Sequence, residues 1–165
     1  MIHFLTTGGT IDKVYFDATS EYEVGPPHVA EVLREGNATF DHTIEAVLAK
    51  DSLDLTDSDR ASIRRHVESC PGDRVIITHG TDTMVETARS LSGIPGKTIV
   101  LTGAMQPAGF KTSDAEFNLG VAIGAVQALP PGVYIAMNGQ IFDPARVRKN
   151  RELKRFVPIE SATSE

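Results

Sequence analysis

Short apolar runs ending in polar turns alternate along this chain with segments of helical period. Ile2 to Thr6, Phe40 to Leu48, Val75 to Thr78, Lys97 to Thr102 and Val133 to Met137 read as strands, each followed within three residues by Gly, Asp or Asn. Between them, Pro27 to Glu35 has Pro in its first turn, Val29, Val32 and Leu33 on one face, and Gly36 after its end, which is a helix pattern. Thr56-Asp57-Ser58-Asp59 has the form of a capping box and opens a helix carrying Ala61, Ile63 and Val67, stopped by Pro71-Gly72. Thr83 to Leu91 and Asp114 to Leu129 read as two further helices. The last carries Phe117, Val121, Ile123, Gly124 and Val126, so it is too apolar around its axis for a surface element and is expected between the sheet and a neighbour.

Residues 7 to 25 have no helical period and read as a long functional loop of lid type. After Gly139 the run Ile141 to Val147 reads as a hairpin, followed by a basic stretch and an acidic, Ser-rich tail. Strands alternating with helices of these lengths specify an α/β fold: a mainly parallel sheet, right-handed crossovers and helices on both faces.

Composition narrows the class. At 165 residues the chain is expected to be one domain, 1–165, large enough to bury a core without disulfides or metals. With 41% apolar and 23% charged residues it has the balance of a soluble globular protein, and a net charge of -6 argues against nucleic acid as a partner. The basic run 146 to 155 lacks interleaved aromatics, which argues the same way. No stretch approaches a membrane span and the N-terminus lacks the form of a signal peptide, so a cytoplasmic location is expected. Cys70, the single cysteine, excludes an internal disulfide and has no positive partner near it in sequence, so it reads as inert. The histidines lack metal-ligand spacing, and neither metal nor cofactor is expected.

Two turns carry candidate chemistry, Thr7-Gly8-Gly9-Thr10 after the first strand and His79-Gly80-Thr81-Asp82-Thr83 after the third. Open parallel sheets hold ligands at the carboxyl ends of their strands. The Gly-Gly turn lets backbone N–H groups approach an anion or a developing oxyanion, but it has neither Walker nor dinucleotide spacing. Thr10 is a nucleophile if a base takes its proton, and a turn hydrogen-bonder otherwise. Thr81 and Asp82 read either as caps of the following helix or as a ligand site at its N-terminus, with Asp82 able to hold an ammonium.

Further motifs in compatible order are Lys50-Asp51-Ser52-Leu53-Asp54, Thr102-Gly103-Ala104-Met105-Gln106-Pro107, Ser113-Asp114 with Phe117-Asn118-Leu119, and Met137-Asn138 followed by Lys149. On these the chain resembles the N-terminal domain of bacterial-type L-asparaginases over nearly its whole length. The resemblance implies a flavodoxin- or Rossmann-like domain that hydrolyses L-asparagine to L-aspartate and ammonia through a threonine acyl-enzyme. It makes Thr10 the nucleophile, Tyr22 the lid tyrosine that contacts it, and Thr81, Asp82 and Lys149 a second group. In that group the lysine favours deprotonation of the threonine and Asp82 binds the substrate amine. Ser52 would fix the substrate α-carboxylate and the Ala104 carbonyl would receive the amide nitrogen, with Gly9, Asp51 and Gly80 also lining the pocket. A homo-oligomer, dimer or tetramer, is implied. Read without the resemblance, Ser52 is a turn hydroxyl and Lys149 one more solvated charge among Arg146, Arg148, Arg151 and Lys154.

Relatives of this type carry a second, smaller domain that supplies an acidic residue to the site, and this chain is expected to be a short form without it. Glu21, Glu23, Asp12 or a partner subunit's carboxylate are the substitutes available. Asp12-Lys13 also stands where small residues commonly follow the first motif, and Leu53 where a polar residue is frequent. A broader amidase acting on glutamine or asparaginyl conjugates, and a non-catalytic amino-acid binding module, remain as alternatives.

Overall fold

The computed structural model describes residues 1–16 and 21–159. In chain order the strands are β1 (Ile2–Thr6), β2 (Lys13–Phe16), β3 (Glu21–Val24), β4 (His42–Ala46), β5 (Arg74–Thr78), β6 (Thr98–Thr102), β7 (Gly132–Met137), β8 (Gln140–Phe142), β9 (Val147–Asn150) and β10 (Arg155–Pro158). The helices are α1 (Val29–Glu35), α2 (Asp57–Ser69), α3 (Met84–Ser90) and α4 (Ala115–Ala128).

The main sheet runs β4-β1-β5-β6-β7-β8, with β8 antiparallel at the edge and the rest parallel. The parallel strands follow the flavodoxin-type order, in which the first strand is flanked by the second and third of the sheet. Adjacent residues of each central strand face opposite ways. Leu5, Ile77 and Leu101 therefore join α2 and α3 in one core, while Phe4, Ile76 and Val100 join α1 and α4 in the other. Strands buried on both faces read as continuous apolar runs, which is why they were legible.

Local chemistry sets the helix ends. The capping box at Thr56 is formed in both directions, the Thr56 hydroxyl accepting from the Asp59 backbone and the Asp59 carboxylate from that of Thr56. In α4 the residues Ala115, Asn118, Leu119, Ala122, Ala125 and Val126 are buried against the sheet. Its other face leaves Phe117 61% exposed with its ring edge near Gly139, and has open space around Gly120 and Gly124.

Two segments differ from expectation. Residues 7 to 25 are not one loop: a short helical turn, Thr10–Asp12, leads into the antiparallel β2–β3 hairpin. Tyr15 and Tyr22 are direct cross-strand partners with ring centroids 5.4 Å apart, the kind of aromatic pair that holds a two-stranded ribbon. The other hairpin lies earlier than expected, joining β7 to β8 through Asn138 and Gly139 at φ 55 and 74. Asn-Gly is the strongest two-residue hairpin signal because both positions need positive φ. A turn at Pro144–Arg146 then leads to a separate β9–β10 hairpin.

Candidate active site

Register aligns the strand ends. Thr6 pairs with Thr78 and Thr78 with Thr102, so the loops after β1, β5 and β6 leave the sheet at one level. The Thr7 hydroxyl donates to the Thr78 carbonyl at 2.9 Å, and the His79 backbone N–H donates to the Thr102 carbonyl at 2.9 Å. Backbone proximity does the rest. Gly8 and Gly9 hold φ of 87 and 88, and a β-carbon on Gly9 would lie 2.5 Å from the Gly80 Cα. One on Gly8 would meet the Lys50 nitrogen at 2.7 Å, and one on Gly80 the Ser52 Oγ at 2.6 Å. The loop following β4 is thereby wedged against those after β1 and β5, and Gly103 abuts the His79 carbonyl in the same way.

Thr10 begins the short turn, whose Ile11 is buried with Ala104, Ala108 and Ala115. Together with Lys13, Tyr22, Pro107 and Phe110 it lines an open cleft of about 270 Å³. The Tyr22 ring is half exposed and edges onto Phe110 at 5.8 Å. Asp12 does not face this cleft. Its carboxylate accepts from the His28 backbone N–H at 2.9 Å while its carbonyl accepts from Gly25 at 2.7 Å, tying the far end of the hairpin to the turn. Burial pushes the Asp12 carboxyl up to about 6, against the opposing pull of the His28 N–H.

The second group is assembled. Lys149 Nζ donates to Thr81 Oγ1 at 2.7 Å and to Asp82 Oδ1 at 3.0 Å. Arg151 Nε lies 3.2 Å from the same Asp82 oxygen. Neither Thr81 nor Asp82 caps α3: its N-cap is Thr83, which makes no side-chain capping bond and instead donates its hydroxyl to the Ser52 carbonyl at 2.7 Å. Asp82 is spent on cations rather than on helix N–H groups, which sets the capping role aside.

Ser52 Oγ is buried and has no hydrogen-bond partner among the described residues. Asp51 caps the turn Ser52–Asp54 through the Leu53 N–H and pairs with Lys13 at 2.7 Å. Partial burial alone would raise its carboxyl; the Lys13 and Leu53 hydrogen bonds outweigh that and hold it below the usual carboxylate range. His79 is fully buried, and desolvation drives it down to about 4. Its Nδ1 lies 2.7 Å from the Gly80 carbonyl, which only accepts, so the neutral ring carries its proton there and orients the loop.

The structure thus joins Thr81, Asp82 and Lys149 directly, joins Gly9, Gly80 and Ser52 through backbone packing, and sets Thr10 beside Tyr22. Ala104 is buried behind the Thr10 turn. Asp51 is engaged by Lys13, and the side chain of Glu21 lies outside the described residues. Four further residues take part whose roles are not evident from sequence. Lys13 and Arg151 neutralise Asp51 and Asp82. Asp114 accepts from the Met105 and Gln106 N–H groups at 2.9 and 3.1 Å. Asn118, fully buried, donates to the Gly103 carbonyl at 3.0 Å and accepts from the Asn138 N–H at 3.0 Å. A polar amide on the sheet-facing side of an apolar helix was the available signal, since buried amides are held by partners.

Fold and site together define a doubly wound α/β domain with a threonine, aspartate and lysine cluster beyond the carboxyl ends of its strands. The chain belongs to the asparaginase family: the model of the asparaginase N-terminal domain matches residues 1–160. It is 33% identical to an L-asparaginase of Thermococcus kodakarensis, over 90% of this chain and 47% of that one. It is 32% identical to a glutaminase-asparaginase of Acinetobacter glutaminasificans, over 88% of this chain and 48% of that one. The solved structure of the thermostable L-asparaginase from Thermococcus kodakarensis superposes with a TM-score of 0.81 at 30% identity, covering 95% of this chain and 50% of that one. The chain spans about half the length of the curated relatives it matches.

Proposed function

We propose that this chain is an L-asparagine amidohydrolase that releases L-aspartate and ammonia through an acyl-enzyme on Thr10. The observation that carries the reading is the Lys149–Thr81–Asp82 cluster, with Lys149 Nζ 2.7 Å from Thr81 Oγ1, at the same strand ends as Thr10. Relatives named as asparaginase and glutaminase-asparaginase support the class of substrate. Because Lys149 donates to Thr81 Oγ1, the Thr81 hydrogen is left to be given outward, to water or to a reacting group. The threonine is then a relay whose oxygen can lose a proton beside a cation.

In this reading the Thr10 oxygen bonds to the amide carbon as the Thr81 hydroxyl takes the Thr10 proton and gives its own to the amide nitrogen, with Lys149 holding the Thr81 oxygen. The C–N bond then breaks, nitrogen leaves as ammonia with that proton, and water attacks the ester to regenerate the threonine. Backbone N–H groups around Gly9 and Gly80 would hold the oxyanion, a contribution of about 3 kcal/mol per donor. Ser52, whose buried hydroxyl has no described partner, suits the substrate α-carboxylate. The working form is taken to be a cytoplasmic homo-oligomer, for which the exposed Phe117 face of α4 is a candidate contact. Thr10→Ala decides the matter: ammonia release from L-asparagine should fall to background, and full release by that variant would sink the assignment.

A further inference from the structure

The β2–β3 hairpin is tied to the site by more than its aromatic pair. At its root the Asp12 carbonyl accepts from the Gly25 N–H at 2.7 Å and the Asp12 carboxylate from the His28 N–H at 2.9 Å. Cross-strand pairing puts Lys13, Tyr15, Tyr22 and Val24 on one face of the ribbon. That face is turned to the site: Lys13 and Tyr22 line the Thr10 cleft, Tyr22 edges onto Phe110, and a β-carbon on Gly8 would lie 2.9 Å from Val24 Cγ1. Lys13 adds a charged bond, its Nζ donating to Asp51 Oδ2 at 2.7 Å. Asp51 uses its other oxygen to accept from the Leu53 N–H at 3.2 Å, so one carboxylate joins the hairpin to the turn Ser52–Asp54. The turn itself is fixed, its Ser52 carbonyl accepting from the Thr83 hydroxyl and its Ser52 side chain lying against Gly80. The bond therefore places the hairpin, not the turn.

We propose that Lys13 is a positioning residue that clasps the hairpin over the site through Asp51 and so keeps Tyr22 beside Thr10. The kinetic consequence rests on the amidohydrolase reading; the position of the hairpin does not. Side-chain exposures of 27% and 32% leave the pair partly solvated, so it biases closure by a few-fold and does not lock it. That suits a lid, which must admit a ligand and then close. Loss of the Lys13 cation leaves Asp51 on the turn through Leu53 and removes its bond to the hairpin.

The chain has 3 tyrosines, so fluorotyrosine labelling of the intact protein gives a small set of fluorine resonances, and Tyr22→Phe identifies the one from Tyr22. Lys13→Met, which keeps an apolar stem, should move that resonance toward the position of unfolded tyrosine, and Lys13→Arg should leave it in place. Asp51→Asn, which keeps an oxygen for the Leu53 N–H, should move it in the same way, and adding Lys13→Met should then do nothing more. In Lys13→Met, kcat/KM for asparagine should fall by about threefold to fivefold, a deficit that shrinks in about 1 M salt because the pair is then screened in the unaltered chain as well. A Tyr22 resonance that Lys13→Met does not move, or moves equally far in the Asp51→Asn background, overturns the clasp. A moved resonance in a chain that releases no ammonia would remove the hydrolase and keep the clasp. Ammonia release from asparagine with an unmoved resonance would do the reverse.

Discussion

Gly9 and Gly80 meet backbone to backbone: a β-carbon on Gly9 would lie 2.5 Å from the Gly80 Cα, at a φ of 88 that L side chains avoid. The two threonine-bearing turns are locked together there, with no room for any side chain between them. Gly9→Ala should lose about 1–3 kcal/mol from this extended, positive-φ conformation alone, and more from the collision. Its melting temperature should drop, and any amidase activity should fall further than the loss of folded protein explains. Gly120→Ala is the control, since the space around Gly120 is open and it lies within α4; it should stabilise by about 0.5–1 kcal/mol.

Much of this was readable. Runs such as Val75 to Thr78 and Lys97 to Thr102 announced strands because both faces are buried, and the Thr-x-x-Asp box announced α2 because its chemistry is local. Pairings across the fold were not readable from pattern, and only the resemblance grouped Lys149 with Thr81 and Asp82. Arg151 and Lys149 sit in one basic run, and nothing in that run says that both reach Asp82 nearly 70 residues earlier. The β2–β3 ribbon was missed because its stability comes from Tyr15 opposite Tyr22, a partnership that composition alone does not show.

Asn118 should prove structurally indispensable. Its amide links α4 to the Gly103 carbonyl, to Asp114 and to the Asn138 N–H, and Asn138 in turn accepts from the Phe156 N–H at 2.9 Å. Asn118→Ala leaves the buried Gly103 carbonyl and the part-buried Asn138 N–H without their partner, a loss of about 2–4 kcal/mol. Urea unfolding measures this directly. A change under 0.5 kcal/mol, the range of an ordinary surface substitution, would mean that water replaces the amide without penalty.

Lys149→Met removes the cation from Thr81 while leaving Arg151 on Asp82. If the lysine assists proton transfer, kcat should fall by about 100-fold or more with a much smaller change in KM. Steady-state ammonia release over a range of asparagine concentrations tests it. An unchanged kcat would take Lys149 out of the mechanism, and a raised KM alone would reassign it to binding.

Two buried groups pull stability in opposite directions as pH falls. His79 is held down to about 4 from 6.5, so between those values the unfolded chain takes up a proton that the native ring refuses. Stability contributed by the neutral ring is complete above about 6.5 and is lost as pH falls toward 4, to the extent of about 3 kcal/mol. Asp12 is raised to about 6 from 3.8, so over that window the native state holds a proton the unfolded chain has lost. Its contribution grows as pH falls and disappears as pH rises through about 6, again by about 3 kcal/mol. Between pH 4 and 6 these two slopes nearly cancel. Asp12→Asn keeps an oxygen for the His28 N–H but cannot ionise, so it should be more stable than the unaltered chain at pH 8. On acidification its stability should fall at up to about 1.4 kcal/mol per pH unit, because proton uptake by His79 in the unfolded chain is no longer offset. Urea unfolding of both proteins at pH 4.5, 6 and 8 reads this out. Parallel stability curves would show that the Asp12 carboxyl titrates in the native state as it does in the unfolded chain.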